Sequence, residues 1–265
     1  MMITIFTIAG SAVYAAEIPV SDQDQLITSR DWTEISNLQD EMKKEEPDAT
    51  IDYDKALKVY VDCNLIKLQT ADTKKLTSAL ESANYVWVIP FKMEKTYGMF
   101  TVAKGLPLSE EAKSVLTKAE QEEVKNHAGK WMITETAEHT VEPYYDILLE
   151  KREALSDCTR VVLVGSQPGM RQPVALGMDD ETARIWISLG YQYPVMEKIP
   201  ETQNVESGVY SFDSVAEISD TYIEDSEVST GAGVQSRSSM KYVAGIGIIV
   251  IGSILILSVL KKKKL

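Results

Sequence analysis

The chain has 265 residues, 44% of them hydrophobic, and a formal net charge of −13 at pH 7. So acidic a surface repels the nucleic-acid backbone, whose binders concentrate lysine and arginine, and it disfavours docking on anionic lipid. Nucleic acid is thereby excluded as a partner, and two cysteines with two histidines leave little material for thiol, imidazole or metal chemistry.

The first stretch, "MMITIFTIAGSAVYAAE", is apolar and ends in small residues. It predicts a signal peptide over 1–15, cut after Ala15, although no lysine or arginine precedes the apolar run. Residues 16–200 then read as one extracytoplasmic domain, long enough for a core of its own.

Within that domain Trp32, Ile35, Leu38 and Met42 recur at helical spacing, with Asp31 and Glu34 as a capping pair and Pro47 as the stop. A strand is expected over 57–68, with Cys63 sharing the face of Leu57, Val59, Val61 and Leu65. Leu76 and Leu80 mark a second helix in "DTKKLTSALESA". "YVWVIPFKM" and "TYGMFTVAK" flank Glu94 and Lys95 and predict a hairpin. Its first strand is apolar on both faces, which suggests a central position, although Pro90 removes one ladder donor.

Two short helices follow, one capped by Ser109, the other opened by a Thr117–Glu120 box and closed by Gly129. Trp131 opens a strand running to about His139, and Pro143 sits in the first turn of a helix presenting Tyr144, Ile147, Leu148 and Leu155. "RVVLVG", "QPVALGM" and "ARIWISL" are three closing strands, joined by "SQPGMR", suited to a type II turn, and by the polar turn "DDET". The fold class expected is α+β: a single ectodomain with a mostly antiparallel mixed sheet and helices on one face, followed by one C-terminal transmembrane helix.

From Glu201 to Ser236 there are eight acidic residues and no basic one, so 201–241 reads as an acidic flexible stalk, with a docked strand an option at 208–212. Tyr242 to Leu260 are nineteen residues without a charge, enough at ~1.5 Å per residue to cross a bilayer core. Lys261 to Lys264 place the 261–265 tail in the cytoplasm. A wall-sorting motif would precede such a span in a bacterial surface protein, but the nearest lookalike, "IPETQ" at 199–203, lies far upstream and ends in Gln. The span is therefore read as a permanent anchor, and the style of both ends as bacterial.

Candidate chemistry is sparse. His127 and His139 show no metal-binding spacing, and His127 suits a helix C-terminus. Ser166 in "GSQPG" lacks the nucleophile-elbow spacing and a strand, not a helix, follows it. Cys63 on an apolar face is expected to be an inert thiol, and whether it bridges Cys158 is left open by the sequence. Asp179, Asp180 and Glu181, like the acids of "SDQD" at 21–24, read as solvated turns before they read as a calcium site. Trp87, Trp131 and Trp186 could stack on sugars if exposed together, but strand tryptophans default to core. No catalytic, metal or cofactor residue is named and no cofactor is expected.

The functional expectation is a single-pass, membrane-anchored extracytoplasmic binding or accessory module at the cell membrane. Its partner would be a membrane or cell-surface protein, or a wall component. The alternative is an anchored hydrolase of wall or peptide substrate that uses a carboxylate pair such as Glu135 and Glu138.

Overall fold

The computed structural model describes residues 18–139, 143–165, 167, 170, 173–189, 196–199 and 204–219. The stretch read as a signal peptide, the uncharged run over 242–260 and the Pro-Gly turn lie outside them, and no helix among the described residues is long and apolar enough to cross a membrane.

Ten strands make one sheet: β1 (Thr50–Ile51), β2 (Leu57–Tyr60), β3 (Tyr85–Lys92), β4 (Tyr97–Lys104), β5 (Trp131–His139), β6 (Arg160–Val164), β7 (Val174–Met178), β8 (Ala183–Ser188), β9 (Asn204–Glu206) and β10 (Val209–Ser211). The order is β5-β4-β3-β2-β6-β7-β8-β10-β9, with β1 also on β3. The expected α+β class with a mostly antiparallel sheet holds. The hairpin turns give antiparallel neighbours, and β2 and β6, which run parallel, are separated by a long crossover as such pairs require.

Proline shapes β3 and its neighbour. The Pro90 carbonyl accepts from Asp52 N at 2.9 Å, but Pro90 has no N–H to return. At this point the strand beside β3 splits into β1 and β2, around a 3-10 turn at Tyr53–Lys55. One glycine is also needed: a Cβ on Gly98 would lie 2.0 Å from the ring of its cross-strand partner Phe91, which itself packs 4.6 Å from Phe100.

Helices cover both faces, not the one expected. On the first face, α1 (Trp32–Ile35) and α2 (Gln39–Glu45) bury Ile35 and Met42 against Trp87, Ile89, Phe91, Phe100 and Val102. On the same face, α3 (Thr73–Ser82) and a helix over 212–219 pack Leu76, Leu80, Phe212 and Val215 against Val162, Val164, Leu176 and Trp186. The opposite face is closed by Ile18, Val20 and a helix, Tyr144–Glu150, whose Tyr144 and Leu148 meet Val161, Leu163, Ala175 and Ile187. Alternation explains the split: consecutive residues of β6 point to opposite faces, and all of Val161 to Val164 are apolar. Between β4 and β5, α4 (Glu110–Val115) and α5 (Lys118–His127) carry the expected Ser109 cap and Thr117–Glu120 box, so the Tyr144–Glu150 helix is α6.

Four local expectations are corrected. The first helix breaks at a 3-10 turn, Ser36–Leu38, and Asp31 donates no cap; its carboxylate instead accepts from Tyr85 Oη at 2.9 Å and Trp87 Nε1 at 3.1 Å. The strand expected over 57–68 stops at Tyr60, because Asp62 turns left-handed at φ 59°, held by Asn84 Nδ2 at 2.9 Å. The segment read as stalk is folded over 204–219, where Val209 and Tyr210 pair with Ile187 and Trp186, and Phe212 stacks on Trp186 at 5.8 Å. Apolar residues set among acids carry that docking.

Cys63 and Cys158 are free and buried in separate cores, Cys63 with Leu65 and Val164, Cys158 with Leu155 and Val161 on the opposite face, so no bridge joins them. Burial pushes both thiols up from 9 to about 11. Below pH 9 they are neutral whether the chain is folded or not, and their contribution is whole; above it the unfolded chain ionises first and stability falls until about pH 11. Burial raises the phenols of Tyr60 and Tyr85 in the same sense, while Lys58, lowered by burial, opposes them as it sheds its proton. The urea midpoint is therefore expected to fall between pH 9 and 11, by at most ~3 kcal/mol per thiol. Cys158→Ala should flatten that slope, and a flat profile in the parent would contradict the burial.

Candidate functional site

The turn that Pro90 imposes builds a groove. Residues Ile51, Asp52, Tyr53 and Asp54 line it from the β1 side, Ile27 and Trp32 from the loop and helix before it, and Lys92 from the end of β3. Its volume is about 420 Å3 and it is open to solvent. Trp32 and Tyr53 meet edge to face, 5.2 Å between ring centres at 68°. Tyr53 is fixed from behind by a contact to Met42 Sδ at 3.7 Å. Asp52 is partnered by Lys55 at 3.8 Å, and Lys55 in turn holds Asp146 of α6 at 2.7 Å.

The remaining polar side chains of the lining residues are uncommitted among the described residues. Trp32 Nε1, Thr50 Oγ1, the Asp54 carboxylate and Lys92 Nζ have no partner among the described residues. Thr50 and Asp52 are the β1-side residues turned to β3, so the Ile51 N–H and C=O point the other way, off the sheet edge. Half of its lining is apolar, Ile27, Trp32, Ile51 and Tyr53, and half is polar, Thr50, Asp52, Asp54 and Lys92.

A second polar cluster sits nearby but is occupied by its own members. Residues 18–31 form a strap across the β2–β6 seam. Pro19 O accepts from Val161 N at 2.7 Å on one side; Gln25 bridges Leu57, and Leu26 N donates to Ala56 O, on the other. Asp24, 2% exposed, accepts from Tyr60 Oη at 2.7 Å, Ser21 Oγ at 2.6 Å and Arg160 Nη2 at 3.0 Å, with Lys58 Nζ at 3.6 Å. Lys58 lies over the rings of Tyr85, Trp87 and Tyr60 at 4.7, 5.3 and 5.6 Å. Desolvation lowers its pKa against the pull of Asp24. The cluster is a buried fastening of the strap to the sheet.

No family model, curated protein or solved structure matches this chain.

The residues singled out from sequence are scattered. His127 ends α5 as expected, whereas His139 ends β5. Ser166 lies outside the described residues. Asp179 accepts from the backbone N–H of Glu181 and Thr182 and pairs with Arg184, while Asp180 accepts from Thr159, so this turn is internally bonded. In "SDQD", Ser21 and Asp24 serve the strap. Trp87, Trp131 and Trp186 are all buried core residues. Glu135 and Glu138 are three apart on a regular stretch of β5, opposite Thr101 and Gly98, and so project to opposite faces of the sheet; they do not form a pair. Trp32 was read as a core position of the first helix and is only half-buried there; the signal that pointed to the groove was Pro90, whose missing donor breaks the neighbouring strand.

Proposed function

We propose that this chain is a membrane-anchored extracytoplasmic binding or accessory module. The observation that carries the binding part is the groove, where an edge-to-face Trp32–Tyr53 pair shares the lining with Thr50, Asp54 and Lys92, whose side chains have no partner among the described residues. The uncharged run from Tyr242 to Leu260, followed by four lysines, supports the anchor and its orientation. The net charge of −13 supports a partner other than nucleic acid or anionic lipid, such as a surface protein or a wall component.

The pair Glu135 and Glu138, offered as an example for the anchored hydrolase reading, projects to opposite faces of the sheet and does not supply its carboxylates. Fractionation of cells expressing the full chain tests the anchor. The protein is expected to stay in the membrane pellet through an alkaline carbonate wash, to be shaved from intact cells by external protease, and to appear in the medium when 242–265 are deleted. Recovery in the soluble cytoplasm, or protection from protease in intact cells, would overturn the proposal.

A further inference from the structure

We infer that the groove takes a neutral pyranose ring of a surface glycan; this rests on the binding-module reading and names its ligand class. Trp32 and Tyr53, edge to face at 68°, bring two aromatic side chains into one lining, and an aromatic ring is an apolar surface on which the C–H face of a sugar packs. Around them stand the groups that hydroxyls require. Asp54 and Ile51 C=O accept, Trp32 Nε1, Lys92 and Ile51 N–H donate, and Thr50 Oγ1 does both. Donors and acceptors are mixed within one open groove of about 420 Å3, so a guest carrying both kinds of group at every position fits better than an ion of either sign.

Other guests fit less well. A phosphate or sulfate would meet a single lysine beside Asp52 and Asp54, on a chain of charge −13. An extended peptide adding to the sheet would find in β1 only two residues, and of these only Ile51 turns its N–H and C=O outward, which is too short to fix a register.

Tryptophan fluorescence reads this site selectively, because Trp87, Trp131 and Trp186 are buried and Trp32 is not. The full-length chain in mild detergent would be titrated with oligomers of N-acetylglucosamine and of glucose, and in parallel with an extended Val-Thr peptide. A saturable change in emission with either sugar is expected. Asp54→Ala should weaken it about tenfold, the loss of one charge-assisted hydrogen bond, while Lys118→Ala on distant α5 should leave it unchanged. Preference between the two sugars identifies the ring type. Saturation by the peptide but by neither sugar would overturn the ligand class and leave the binding module standing. A titration flat with all three, in a chain that still fractionates with the membrane, would overturn this groove as the binding site and leave the anchor untouched.

Discussion

Replacing Asp24 by alanine is expected to destabilise the domain by about 3–5 kcal/mol, a large part of the ~5–15 kcal/mol that holds such folds together. The carboxylate is 2% exposed and satisfies Lys58, Arg160, the Tyr60 hydroxyl and Ser21 at once. Its removal leaves two mostly buried cations, their side chains 10% and 16% exposed, without the carboxylate they share. Arg160 Nε already lacks a partner there, so no spare acceptor stands by to take over. Lys58→Met is the informative contrast. It removes a charge that burial already disfavours, keeps a side chain of similar length against three aromatic rings, and leaves Asp24 paired with Arg160; a change within about 1 kcal/mol is expected. Urea unfolding measures both. A loss below about 1 kcal/mol for Asp24→Ala would mean the strap is not fastened as described.

Trp87→Ala carries the second large effect, about 3–5 kcal/mol. The indole is fully buried, edge-on to Tyr85 at 6.3 Å and 90°, beneath Lys58 at 5.3 Å, and its N–H donates to Asp31. Truncation opens a cavity among Ile35, Ile89 and Val102 and takes one of two donors from the buried Asp31 carboxylate. Trp87→Phe keeps a ring over which the ammonium can sit and loses only the N–H, so about 1–2 kcal/mol is expected. Because both sites share Lys58, the double substitution Asp24→Ala with Trp87→Ala should depart from additivity by more than about 0.5 kcal/mol in a mutant cycle. Strict additivity would show that the lysine does not couple them.

Much of the sheet was legible because its strands announce themselves locally. Apolar runs in β3 and in β6 to β8, and a polar turn between β3 and β4, need no distant information. The Thr117–Glu120 box and the Ser109 cap are likewise local, and both stand in the structure. What was not legible depended on partners far along the chain. Asp31 looks like a helix cap until Tyr85 and Trp87 are brought to it. Tyr210 and Phe212 lie in an acidic tract; the docked strand at 208–212 was an option there and stands as β10, but neither its partner β8 nor the helix after it could be read locally. The face that each helix covers was equally hidden, since amphipathic spacing says that a helix has a buried side but not which side of a sheet receives it. Trp32 illustrates the limit at the groove: its helical spacing is real, but the helix ends after one turn and leaves the ring at the rim.

The seam between β2 and β6 has a consequence for how the chain assembles as it is made. The two sheet halves join strands that are close in sequence, β3–β4, β7–β8 and β9–β10 as tight hairpins and the others across longer connections, and each half can form as soon as its own residues are available. Their junction is different: Val59 lies beside Leu163 and Tyr60 beside Val164, and the strap's Asp24 reaches Arg160, 136 positions later. Loop closure of that length is slow relative to hairpin formation. A chain emerging from its N-terminus therefore presents β2 to β5 before β6 exists; residues 24–26 have their Ala56, Leu57, Lys58 and Tyr60 partners at hand by then, but the Val59–Tyr60 edge of β2 still lacks β6. During that interval the exposed β2 edge is the part of the molecule most open to pairing with another chain.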